Sequence, residues 1–175
     1  ISKILEGIPL VVLLMLLYYV IFKRIDISAV GVGVIGFTID FANTTAGLLK
    51  AGIATVDSGQ SEAATAMGYS RWNVFFKIVF PQAVRNVFSQ YEDAVVGLIK
   101  NTSVIGYIAV EDLTMASDMI RGRTYDAFFP LIATAVLYFL IAHVFVFLLK
   151  RVDIRLDPKR RKRAVKGVTI DDSNL

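Results

Sequence analysis

Glu62-Ala63-Ala64-Thr65-Ala66-Met67-Gly68, followed after nine residues by Ile78-Val79-Phe80-Pro81, stands in a soluble-looking insert between two apolar runs. The insert, Asp57 to Pro81, reads as two short helices around a tight turn. Asp57 or Ser58 can cap the first helix, Ala63, Ala64 and Ala66 favour it, and Gly68 supplies the left-handed residue that ends it. Ser70 is placed to cap the second helix, and Tyr69 and Val74 stand at the spacing of a hydrophobic staple. Pro81 is expected to stop or bend that helix. With Met67, Tyr69, Trp72 and Phe75 expected on its surface, such a helix–turn–helix suits docking into a groove on another protein.

The surroundings of the insert are those of a membrane protein. Of the 175 residues 55% are hydrophobic, and the mean hydropathy is +0.61, too apolar for an ordinary soluble domain. No cysteine is present, which removes disulfides and thiolate metal sites. Much of the basic charge lies between Lys150 and Lys166, with Lys159-Arg160-Arg161-Lys162-Arg163 unbroken. That run suits a solvated tail beside a membrane. It is short and without interleaved aromatics, so nucleic acid is not an expected partner.

Four apolar stretches are expected to span the bilayer: residues 8–22, about 27–49, about 88–110 and 128–149. The third is expected to be broken by Lys100, Asn101, Thr102 and Ser103, and residues 111–126 read as a polar loop. Lys50, Arg71, Lys77, Arg85 and the basic tail fall on one side of these spans, whereas Lys23, Arg24, Arg121 and Arg123 fall on the other. The excess places the insert and the C-terminus in the cytoplasm. The fold class is therefore all-α, a polytopic helical bundle with about four transmembrane helices in this chain.

Polar groups at membrane depth mark either a pathway or a pair buried between helices. Asp40 and Asn43, at i and i+3, share a helix face, and Asn101, Thr102 and Ser103 interrupt the third span. Both readings stay open for these five residues. Gly31-Val32-Gly33-Val34-Ile35-Gly36 fits the dinucleotide pattern GxGxxG, but it lies inside an apolar span, where small residues mark close helix packing. His143 has no second ligand at helical spacing, so no metal site is expected. No nucleophile sits beside a histidine and no phosphate-binding GxxxxGK[ST] loop is present, so the chain is not expected to be an enzyme or to hold a cofactor.

Glu-Ala-Ala, three residues, Gly, nine residues, Ile, one residue, an apolar residue and Pro resembles the EAA loop of permease subunits in bacterial ABC importers. Pro81-Gln82-Ala83-Val84-Arg85 and Leu98-Ile99-Lys100-Asn101-Thr102-Ser103 are similar to the branch that imports polar amino acids. Gly7, Pro9 and Leu10 match that branch's Gly-Thr-Pro-Leu, although Ile8 replaces Thr and Glu6 a usual Arg. The chain also departs at Asp40, where Asn is common, and at Gly47, where an acid is expected; Asp112 matches an acid after the third span, or is a cap.

The resemblance implies a permease domain over residues 1–157, its coupling loop at 57–81, and a basic cytoplasmic tail at 158–175. It implies a bacterial inner-membrane location and a further core helix ahead of Ile1. Glu62, Ala63, Ala64, Gly68, Tyr69 and Pro81 would couple the chain to ABC ATPase subunits that hold ATP and Mg. A second permease subunit and an external substrate-binding protein are the other implied partners. Rival readings are a permease for another small polar solute and a membrane scaffold that docks a cytoplasmic protein without transport.

Overall fold

The computed structural model describes the backbone of residues 7–156 and the side chains of residues 7–151, and among these every regular element is helical. The basic tail expected at 158–175 lies outside the described residues. Helix α1, Leu10–Ile21, starts behind Pro9 and ends in a widened turn, where the Phe22 N–H bonds to the Leu17 carbonyl at 2.8 Å. Ser28 caps α2, Ala29–Ala54, by accepting the Gly31 N–H at 3.1 Å. The insert follows with α3, Ser58–Ala66, and α4, Arg71–Val74.

From Arg71 the chain stays helical to Ile108 while its hydrogen-bond spacing changes three times. A π-type turn at Phe75–Val79 leads into α5, Phe80–Asn101, which tightens into a 3₁₀ segment at Thr102–Ile108. Ala109, at φ 59°, ends it. Helix α6, Leu113–Thr124, is bent by 57° from the preceding one and ends at Tyr125, φ 55°. Asp126 then accepts the Phe128 N–H at 2.9 Å to start α7, Phe128–Leu156.

Three expectations need correction. Pro81 neither stops nor sharply ends the second helix; it is the second residue of α5. Proline lacks an N–H and its ring clashes with the carbonyl four residues back, and the widened turn just before it, with the Phe80 N–H bonded to the Phe75 carbonyl, spares both conflicts. Lys100 to Ser103 interrupt the third span only as a change of helix type: the α-helix ends at Asn101, the backbone goes on with 3₁₀ spacing, and Thr102 Oγ1 donates to the Ile99 carbonyl at 2.7 Å. Residues 111–126 are mostly helix, since Asp112 caps α6 by accepting the Met115 N–H at 2.9 Å.

Among the described residues two helices are long and apolar enough to cross a membrane, Ala29–Ala54 and Phe128–Arg151; the bent pair Arg71–Ile108 and Leu113–Thr124, taken as one span, makes a third, and Leu10–Ile21 is a shorter apolar helix. The apolar window of α7 is only 6% buried. A helix apolar on every side and covered by so little protein has the bilayer as its solvent.

The described residues fall into two compact units, 7–48 with Asp93–His143, and Leu49–Glu92 with 144–156. In the first, Gly33 faces Ile105, whose Cδ1 a Cβ would meet at 2.6 Å, and Gly36 faces Leu14 and Leu17. The GxGxxG pattern is thus a packing surface. In the second unit Gly52 lies against backbone: a Cβ there would sit 2.7 Å from the Ala83 carbonyl oxygen and 2.8 Å from Val87 Cγ1. A carbonyl cannot swing aside as a side chain can. Gly52→Ala should therefore cost about 1–3 kcal/mol by overpacking, read as a lowered Tm of the detergent-solubilised protein. Gly47→Ala, inside the same helix with nothing within 4 Å of its Cβ position, should keep the Tm or raise it, since alanine favours a helix interior over glycine by about 0.5–1 kcal/mol.

Candidate functional site: the helical insert and the polar span residues

The insert is assembled from local rules. The Asp57 carboxylate accepts the Gly59 N–H at 2.9 Å and opens α3. At the other end Met67 is the last half-helical residue, and Gly68 takes φ 86°. The Gly68 N–H bonds to the Thr65 carbonyl at 2.9 Å and the Tyr69 N–H to the Ala64 carbonyl at 3.2 Å. These paired bonds are the Schellman closure, which satisfies two carbonyls that a helix end leaves unpaired. Ser70 Oγ then accepts the Asn73 N–H and opens α4.

Ala64 and Val74 turn inward and are buried, whereas Glu62, Ala63, Gly68 and Tyr69 are exposed and Pro81 is half-buried. Glu62 is the fifth residue of α3, counted from Ser58. The dipole field fades within the first turn, so Glu62 does little for the helix start, and it stands exposed. Phe76, rather than the expected Phe75, completes the exposed aromatic face: Trp72 is 74% and Met67 70% exposed, and the Trp72 and Phe76 rings stack at 5.9 Å. So much apolar surface beside a short polar helix marks an interaction site.

The polar span residues are only partly gathered. Asp40 and Asn43 are half-buried on α2, Asn101 ends α5 exposed, and Thr102 spends its hydroxyl on its own helix. Ser103 lines a cavity of about 370 Å³ together with Gly106, Tyr107, Asp112, Thr114 and Asp118. The acids there have structural duties. Asp112 Oδ1 caps α6 while Oδ2 accepts the Tyr138 hydroxyl at 3.3 Å, and Asp118 pairs with Arg121 at 3.1 Å. His143 stacks on Phe139 and bonds to its carbonyl through Nδ1.

Comparison with known proteins decides the family. Residues 1–158 match the model of the binding-protein-dependent transport system inner membrane component. The chain belongs to this family. As an inner membrane component it is multi-pass, in keeping with its apolar helices. The putative glutamine transport system permease protein GlnP of Rickettsia conorii is 30% identical over 159 residues, covering 89% of this chain and 72% of the relative. The probable amino-acid ABC transporter permease protein YckA of Bacillus subtilis is 32% identical over 140 residues, covering 79% and 62%. A crystal structure of an amino acid ABC transporter with histidines is similar at a TM-score of 0.77 and 30% identity, over 88% of this chain and 72% of that one.

Sequence reasoning passed over four residues of the insert region. Gln82 Nε2 donates to Gln60 Oε1, and Asn86 Nδ2 donates to Thr55 Oγ1 at 2.9 Å. The partners are 22 and 31 positions apart, and unlike cap spacing no local pattern announces them. The cap reading of Asp112 holds, as it stands three residues ahead of the N–H it accepts. Asp112→Ala should weaken the start of α6 by about 1 kcal/mol, seen as faster amide exchange over residues 113–117, whereas Asp112→Asn should keep the protection.

Proposed function

We propose that this chain is the permease subunit of an ATP-driven importer of polar amino acids, and that the insert at 57–81 couples it to the ATPase. The observation that carries the reading is the insert itself: a capped, Schellman-closed helix pair that holds Met67, Trp72 and Phe76 outward with Glu62 and Ala63 beside them. Relatives named for glutamine and amino-acid transport supply the solute class. Asp40, Asn43, Asn101, Thr102 and Ser103 are the proposed contacts along the solute path, where a polar group offsets the cost of its depth by meeting a polar solute.

The transport cycle follows from mass action between two states. An external binding protein delivers the amino acid to the outer face of a pair of permease subunits. Two ATPase subunits, which hold the ATP and Mg, close on nucleotide and press the inserts. The pressed state must bind the ATPase dimer better than the resting state for hydrolysis to bias the path from one opening to the other. This chain contributes no cofactor and no catalytic group to that chemistry.

Valine at position 68 would be strained by about 1–2 kcal/mol in the left-handed region, which reorients α4 and its aromatic face. In vesicles reconstituted with the ATPase and binding protein, Gly68→Val should lose ATPase co-purification or solute-stimulated hydrolysis while the spans still insert. Normal values for both would sink the coupling assignment. The orientation is tested separately. A cysteine at the exposed Ser58 should resist membrane-impermeant thiol reagents in intact cells and react once the membrane is opened; labelling from outside would reverse the proposed topology.

A further inference from the structure

Two hydrogen-bonded pairs tie the insert to the helices on either side of it. Gln82, in the first turn of α5, holds Gln60, in the first turn of α3. One turn further along α5, Asn86 holds Thr55 at 2.9 Å, and the Thr55 hydroxyl in turn donates to the Gly52 carbonyl at 2.7 Å. Between these pairs Ala83 and Val87 bring α5 against Gly52, at a separation that admits no Cβ. All seven residues belong to one compact unit, Leu49–Glu92.

The pairs close a ring. Starting at Gln60, the chain runs along α3, through the turn at Gly68, along α4 and the widened turn at Phe75–Val79, and into α5, where Gln82 returns to Gln60. The Thr55–Asn86 pair closes a wider loop around it that takes in the Thr55–Asp57 connection. Held by both pairs, the chain cannot hinge freely at that connection or at the widened turn. Without the pairs, a push on the aromatic face would bend the insert at those points.

We propose that Thr55, Gln60, Gln82 and Asn86 are positioning residues that make the insert a lever, rigid with the adjoining ends of α2 and α5, so that ATPase closure moves both helices together. The proposal rests on the coupling reading above. It assigns to these side chains the transmission of force, and to the aromatic face the binding of the ATPase.

The test compares Gln60→Ala/Gln82→Ala and Thr55→Val/Asn86→Leu with the unaltered chain in vesicles carrying the ATPase and binding protein. ATPase retention and solute-stimulated hydrolysis should persist in both pairs. Uptake per ATP hydrolysed should fall about five-fold, the low end of usual coupling free energies. Because the chain has no cysteine, Gln60→Cys/Gln82→Cys can be bridged by a short bis-methanethiosulfonate, which forms a disulfide with each thiol and should restore the ratio until those disulfides are reduced. An unchanged ratio in both alanine and apolar pairs, or a bridge without effect on the ratio, overturns the lever. Loss of the ATPase with a normal ratio in the complexes that remain also overturns it, because the pairs would then serve the shape of the docking face. Failure of the unaltered chain to retain the ATPase at all would instead remove the coupling reading.

Discussion

Close approach of backbones is the constraint on which the structure depends. Lipid tails are as apolar as the side chains they surround, so helices in a bilayer gain little by hiding leucines from it and associate through contact and hydrogen bonds. Helix α2 meets that condition with glycines where its neighbours lie: Gly33 and Gly36 toward Ile105 and Leu14, and Gly52 toward the Ala83 carbonyl. Gly47, with open space around its Cβ position, shows that glycine content alone does not mark a contact. The difference lies in what faces each residue.

A second constraint governs the long helical run from Arg71 to Ile108. Ahead of Pro81, in the insert, the spacing is wide and accommodates the proline. Backbone groups at membrane depth have no water to turn to, and beyond Asn101 the chain tightens its spacing instead of breaking, while Thr102 adds a side-chain bond to the Ile99 carbonyl. Only at Ala109 does the chain turn, through a left-handed alanine. The capping carboxylate of Asp112 then starts a new helix at once.

What could be read in the residues is what short-range physics decides. Asp57, Gly68 and Ser70 act within three residues of themselves, and each does what its side chain, or the lack of one, prescribes. The all-α class and the apolar spans followed from composition and length. Pro81 was misjudged because the rule for proline assumes regular α-spacing behind it, and a widened turn removes that assumption. Helix α6 was misjudged because Ser117, Asp118, Arg121 and Arg123 look like loop composition, and a capping Asp112 fits the edge of a loop as well as the start of a helix. Gln60 with Gln82 and Thr55 with Asn86 depend on the whole fold of the insert. The polar residues of the spans remained legible only as costly groups, since their surroundings are set by helices distant in sequence.

The turn at Phe75–Val79 holds one residue more than an α-helix would need. It divides one continuous helix into two stretches with independent rotational phase, since each residue of an α-helix advances about 100° around its axis. Loss of a single codon there would leave a helix of nearly the same length, regular up to Pro81, which has no N–H to give. Trp72 and Arg71 would then point to a different quadrant relative to Ala83 and Val87. A change in chain length that sequence comparison scores as a minor gap would thus re-aim one end of the helix against the other.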